Sequence, residues 1–159
     1  MSDQKFVYVT YIRTTPQKLW EALTKPEFQK AYWFGVHQET DWKPGGAWKM
    51  VYSDGKVTDT GEVVEFDPPK RLVLKWRNEF MPELKAEGYS RCVMELERTG
   101  DSVKLTVTHT GEGEMPKFIA AISGGWPKVL SSLKSFLETG AALPRPEQCG
   151  QSQALEAKA

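Results

Sequence analysis

Cysteine is scarce in this 159-residue chain, which carries only Cys92 and Cys149. That number, without Cys-x-x-Cys spacing, excludes a disulfide-stapled scaffold and a cysteine zinc or redox site, and a reducing compartment is expected. No run of about 18 apolar residues occurs, so no membrane-spanning helix is expected. Met1-Ser2-Asp3-Gln4-Lys5 is polar and charged where a secretory leader needs about 7 to 15 apolar residues, so a cytoplasmic location is expected. An excess of one charge is missing too. Lys plus Arg number 21 and Asp plus Glu 21, with a sequence pI near 6.7. Nucleic acid and anionic membranes demand a concentrated positive field, so neither is expected as main partner. The phosphate loop, the nucleophile elbow, the dinucleotide fingerprint and the His-Glu-x-x-His zinc motif are all absent.

What the chain does hold is ordinary globular material: 40% hydrophobic and 26% charged residues. At roughly 100 to 200 residues per domain its length supports one core. Lys5 to Ile12 is β-branched and aromatic and reads as a strand. Thr14-Thr15-Pro16 supplies a capping hydroxyl and a proline at the first helical position, ahead of Leu19, Trp20 and Leu23 at helical spacing. A second short helix starts at Pro26 and ends in the aromatic run Tyr32-Trp33-Phe34; the pair is expected to form a lid rather than core. The period then changes from about 3.6 to 2, giving strands at 36–42, 47–53, 57–66, 71–78, 88–97 and 102–110, separated by glycine, proline and aspartate turns. Asp67-Pro68-Pro69-Lys70 ends one of them.

Alternation defines a broad apolar face: Trp48, Met50 and Tyr52; Leu72, Leu74 and Trp76; Cys92, Met94 and Leu96; Val103, Leu105, Val107 and His109. Its cover is an amphipathic helix on which Phe118, Ile119, Ile122, Trp126, Val129, Leu130, Leu133 and Leu137 recur at steps of three and four. Gly124-Gly125 and Pro127 predict a kink or broken turn near Trp126, and Gly140 is placed to cap the end. Residues 1–143 are expected to form the domain, and 144–159, polar and aperiodic, a disordered tail.

Several motifs carry a family resemblance. Thr15-Pro16-Gln17-Lys18-Leu19-Trp20-Glu21-Ala22-Leu23 resembles the opening of START-like, or SRPBCC, proteins, and Lys25-Pro26-Glu27 followed by Tyr32-Trp33 resembles their next segment. Pro44-Gly45-Gly46-Ala47-Trp48, the stretch from Gly61 to Leu72, and Gly125-Trp126 with Leu130 and Leu133 are similar to the branch named for the activator of the heat-shock-protein-90 ATPase. Leu19 and Pro127 depart from the usual pattern. The resemblance implies an α+β helix-grip fold: a curved antiparallel sheet of about six to seven strands, two short helices and a long C-terminal helix across it. It also implies a cavity between sheet and helix for an apolar molecule. The matched motifs are structural, and no catalytic set carries over.

Trp48, Met50, Tyr52, Trp76, Met94, His109, Phe118, Ile122 and Trp126 are the expected lining, with His109 able to orient a polar group or move a proton. The competing reading is that these bulky side chains fill the space as core. His37, Glu39 and Asp41 alternate on one strand, but neighbours about 6.6 Å apart are too far for one ion; a solvated face is expected and no metal or other cofactor. Cys92 reads as a buried small hydrophobe. Gly111 to Met115 is glycine-rich but acidic, a loop bordering the cavity rather than a phosphate cradle. Binding of a lipid- or polyketide-like molecule is the leading functional expectation. A co-chaperone or stress-response protein of the ATPase-activator type is the alternative, held lower because only about four residues precede the first strand, where activators carry a further domain. A cyclase- or hydrolase-like enzyme ranks third. A monomer or weak homodimer is expected.

Overall fold

The computed structural model describes residues 5–144; apart from Pro144 the expected disordered tail, Cys149 included, lies outside that range. Eight residues, Lys5–Ile12, form β1, with outward Val7, Val9 and Tyr11 exposed and Ile12 fully buried. Helix α1 (Pro16–Thr24) starts as the sequence indicates, with Thr15 Oγ1 accepting from the Lys18 amide at 3.2 Å. Helix α2 (Pro26–Tyr32) follows after one residue. Strands β2 (His37–Thr40), β3 (Ala47–Val51), β4 (Val57–Asp67) and β5 (Arg71–Asn78) come next, then a one-turn helix α3 (Pro82–Lys85) that the sequence reading omits. Strands β6 (Ser90–Thr99) and β7 (Ser102–Gly111) lead to the 24-residue helix α4 (Pro116–Thr139).

The seven strands form one antiparallel sheet in the order β1-β7-β6-β5-β4-β3-β2. The chain winds through β2 to β7 as a meander, and β1 closes on β7 with Phe6 opposite His109. Together with α1, α2 and α4 this is the expected helix-grip α+β architecture, the inner face of the sheet forming the core against the helices. No helix among the described residues is long and apolar enough to cross a membrane.

Three expectations need correction. The α1–α2 pair is core, not lid: Leu19, Trp20, Ala22, Leu23 and Tyr32 are all buried. Its polar groups are tied inward, the Tyr32 hydroxyl donating to Ala22 O at 3.0 Å and Gln29 Nε2 to Leu23 O at 2.7 Å. Second, α4 has no broken turn at Gly124-Gly125-Trp126-Pro127; helix runs through all four residues. Proline forfeits one backbone bond there, and burial of Trp126, Val129, Leu130 and Leu133 offsets it. Third, Tyr52 does not continue the face of Trp48 and Met50. A register shift between Met50 and Val51 ends the alternation, both residues are buried, and half-buried Tyr52 opens the hairpin with its amide on Lys56 O.

The cap at the N-terminus of α4 comes from outside the helix. Glu87, beyond α3, accepts from the amides of Lys117 at 3.1 Å and Phe118 at 2.8 Å, so a carboxylate meets the positive end of the dipole. At the other end Gly140 takes φ of 88° and returns its amide to Phe136 O.

Two glycine positions have opposite consequences. Gly61 on β4 is paired with Trp48 on one side and Trp76 on the other. A Cβ there would lie 1.7 Å from Lys75 O, so β5 can approach only a glycine. By contrast, a Cβ at Gly124 or Gly125 meets no atom within 4 Å. Replacing Gly61 by Ala should therefore cost more than about 2 kcal/mol in urea unfolding and alter the near-ultraviolet circular dichroism of the adjoining indoles. Gly124→Ala should instead gain about 1 kcal/mol from helix propensity; a loss there would mean that the space around the glycine is not open.

Candidate functional site

Seven of the nine expected lining residues come together in the interior. Trp48, Met50, Trp76, Met94, His109, Phe118 and Trp126 are all buried, whereas Ile122 on α4 is half-buried and Tyr52 sits at the hairpin. Trp48 on β3 and Trp76 on β5 flank β4, yet their ring centroids are 4.8 Å apart, so the indoles lean across the intervening strand to meet. Trp76 also packs on Trp126 at 5.8 Å and on His109 at 5.1 Å, while Trp33 reaches Trp126 at 5.5 Å and Phe118 reaches His109 at 5.2 Å. The result is a continuous aromatic wall between sheet and α4.

Polar groups are threaded through this wall. Trp48 Nε1 donates to Gln38 Oε1 at 2.8 Å, Trp76 Nε1 to Asp59 Oδ2 at 2.8 Å, and Trp126 Nε1 to His109 Nδ1 at 3.1 Å. Since Nδ1 of His109 accepts, its proton sits on Nε2, which donates to Ser90 Oγ at 2.7 Å; the Ser90 hydroxyl passes on to Trp76 O at 3.0 Å. Every member of this chain is satisfied with a neutral imidazole. Burial pushes the His109 pKa from 6.5 down to about 3, since a charged ring would lose its solvation and face the Trp126 N–H. The same arrangement removes Ser90 and His109 as a nucleophile-and-base pair, because the nitrogen facing the hydroxyl already holds a proton.

Asp59 stands inward on β4, opposite Asn78 on β5. Desolvation raises its carboxyl from 3.8 to about 6, opposed by hydrogen bonds from Trp76, Thr58 and Asn78. Near it, Glu79 is held by Arg77 at 2.7 Å and Lys85 at 3.1 Å, and accepts from Thr60 Oγ1. Asp59, Asn78, Ser90, Gln38 and Gln29 were not among the expected site residues. Register was the available signal: Ser90 is two residues before Cys92 in the inward series of β6, and Asp59 two before Gly61.

Of the remaining candidates Cys92 shares this interior and the others fall outside it. Cys92 is buried, and burial pushes its thiol up from the ordinary range, so it is not a poised nucleophile. His37 Nε2 lies 2.9 Å from Glu39 Oε2 beside Lys49, while Asp41 falls beyond the end of β2 and folds onto the Lys43 amide. Of the acidic loop, Met115 is fully buried and anchors the start of α4. An open groove of about 440 Å³ among Lys70, Arg71, Glu95, Glu97 and Lys104 lies away from this wall. Its Arg71 is held by Glu65 and Glu95, so the groove is internally neutralised rather than a site for an apolar molecule.

The sheet, the short helices and α4 lying across them define a START-like protein of the helix-grip class. Residues 13–138 match the family described as Activator of Hsp90 ATPase homolog 1-like protein, and the chain belongs to that family. Its fold is similar to CalU16 from Micromonospora echinospora, with a TM-score of 0.69, 20% identity and coverage of 94% of this chain and 82% of that one. It is also similar to an HSP90 activator from Plasmodium falciparum, with a TM-score of 0.70, 21% identity and coverage of 85% and 96%. The Aha1 dimer from Colwellia psychrerythraea gives a TM-score of 0.66 at 21% identity, covering 86% and 97%. At these identities the likeness establishes the fold. No curated protein matches the sequence.

The two buried titrating groups act on stability in opposite directions. Unfolded imidazole gains a proton below about pH 6.5 and folded His109 does not until about 3, so this group removes stability as the pH falls through that window. Folded Asp59 holds its proton more firmly than the unfolded chain, so its ionisation costs stability in full above about pH 6, and that cost fades as the pH falls from about 6 to 3.8. The stability advantage of wild type over His109→Gln should therefore shrink by about 2 kcal/mol between pH of about 6.5 and 5, read by urea unfolding. A constant gap would show that the folded imidazole takes up its proton normally.

Proposed function

We propose that this protein binds a hydrophobic or aromatic small molecule, lipid- or polyketide-like, on the wall between the sheet and α4. The observation that carries the reading is the mismatch between the wall and its cover. The rings of Trp48 and Trp76 are fixed on the sheet by packing and hydrogen bonds, whereas α4, which brings Trp126 onto them, has two unpacked glycines and a proline in its middle. Gly124 and Gly125 each cost the helix about 1 kcal/mol, and no close approach requires them. Movement of the first half of α4 about this segment lifts Phe118 and Ile122 off the sheet and lets an apolar ligand replace their contacts. Met50 and Met94 supply adaptable surface and His109 a fixed polar tip. Binding of this kind fits a cytoplasmic monomer or weak dimer.

The test is native mass spectrometry of gently purified protein, followed by thermal unfolding with fatty acids and polycyclic aromatics. A co-purified small molecule is expected, and a ligand at a hundred times its Kd should add about 2.7 kcal/mol, or roughly 5 to 10 °C in Tm. A clean apo mass together with an unmoved Tm across the panel overturns the reading.

Family membership favours one second reading, a co-chaperone that acts on the heat-shock-protein-90 ATPase or in a stress response. Support comes from fold likeness to an HSP90 activator. Stimulation of the cognate chaperone's ATPase by the purified chain is the expected result under this reading; an unchanged rate at saturating protein removes it.

A further inference from the structure

We infer that the molecule bound on the aromatic wall carries an amine or another cationic nitrogen, and that Asp59 is the group that receives it. This inference rests on the ligand-binding reading and narrows its chemistry. It starts from the indoles of Trp48, Trp76 and Trp126. Each needs one acceptor for its N–H, and the fold supplies three different ones: the neutral amide of Gln38, the neutral imidazole of His109 and the carboxylate of Asp59. Two of the three show that a neutral group serves. The negative charge at the third is surplus to the structural task.

That charge is also expensive where it stands. Asp59 is 8% exposed, and carboxylates are seldom buried without a cation beside them. Here the nearby cations are committed elsewhere, Arg77 and Lys85 both pairing with Glu79. Among the described residues Asp59 has no ion pair, and its partners are the neutral donors of Trp76, Thr58 and Asn78. Trp76 meets it through its N–H edge at 2.8 Å, and the ring of Trp76 packs on Trp48 with centroids 4.8 Å apart. A buried carboxylate lacking its cation, held only by neutral donors at one end of an aromatic cluster, is the chemistry that recognises an organic ammonium. The apolar wall requires the rest of that ligand to be hydrophobic.

The experiment uses two matched pairs of probes, octylamine against 1-octanol and tryptamine against tryptophol, titrated calorimetrically into the full chain. At about pH 7.5 Asp59 is ionised and an aliphatic amine is protonated. Wild type is expected to bind each amine about tenfold more tightly than its alcohol. Asp59→Asn keeps an oxygen for Trp76 and should remain folded, with Tm no lower than wild type, yet bind amine and alcohol alike. Equal binding of amine and alcohol by wild type, or a preference that persists in Asp59→Asn, overturns the inference and leaves the ligand-binding reading standing. Absence of heat with all four probes overturns the inference too; whether the reading falls with it is decided separately by native mass spectrometry and the thermal panel. Should the variant fail to fold, the wild-type amine-to-alcohol ratio still decides.

Discussion

Buried indole N–H groups dominate the construction of this interior. A tryptophan contributes more apolar surface than any other side chain but brings a donor that is costly to leave without a partner inside a protein. Two such donors, Trp48 and Trp76, lie under α4 and a third, Trp126, is on it, and meeting their needs sets the polar residues around them. Gln38 is itself held in place, its backbone N–H donating to Gln29 Oε1 at 2.7 Å, and Gln29 in turn donates to the end of α1. The short helices, β2 and β3 are thus joined through one line of hydrogen bonds. His109 and Ser90 do the same for β7, β6 and β5. Removing one member strands its neighbour, so these polar residues specify the packing as firmly as the rings do.

The helix that covers this interior is secured unevenly. Its C-terminal half buries Val129, Leu130 and Leu133 against the core, and Lys134 and Glu138 bond to Tyr11 O and the Arg13 amide beside the free edge of β1. The N-terminal half depends on Phe118, Met115 and the Glu87 carboxylate. Between the halves lies the segment poorest in intrinsic helix stability, where glycines and a proline are tolerated because the neighbouring turns are well packed. Local stability follows buried apolar contact, and the contact here is concentrated on the side away from His109.

Much of the fold was legible because strand periodicity and turn residues agreed. Strands β1, β4, β5 and β7 fall within a residue of the expected ranges. The parts that were not legible share a cause, namely dependence on residues far away in sequence. An amphipathic helix reads the same whether it lies over a cavity or seals a core, so only tertiary contact distinguishes Leu19 and Tyr32 as interior. Proline and glycine argue locally for a break in α4, and packing on both sides overrides them. The shift at Met50 and Val51 depends on the partner strand, which is why Tyr52 was misplaced on the face. As for the site, the aromatic half followed from alternation of large apolar residues. Its polar half stayed hidden because a serine, an asparagine or an aspartate in the inward register looks like an ordinary surface position until its neighbours are known.

The charge state of this interior follows from the same contacts. His109 is kept neutral because its two nitrogens already hold complementary partners, and a proton would convert an acceptor of the Trp126 N–H into a second donor facing it. Asp59 is surrounded by donors, so its ionised form is favoured by hydrogen bonding even as burial opposes it, and the balance falls near pH 6. At neutral pH the space between sheet and helix therefore carries a negative charge at Asp59 and no compensating positive charge at His109, in a chain whose formal net charge is zero. A field of that sign inside low-dielectric walls disfavours the carboxylate of a fatty acid near Asp59 and favours neutral or cationic groups. Under the proposed ligand-binding role, a fatty acid would therefore have its head group directed away from the β4–β5 end.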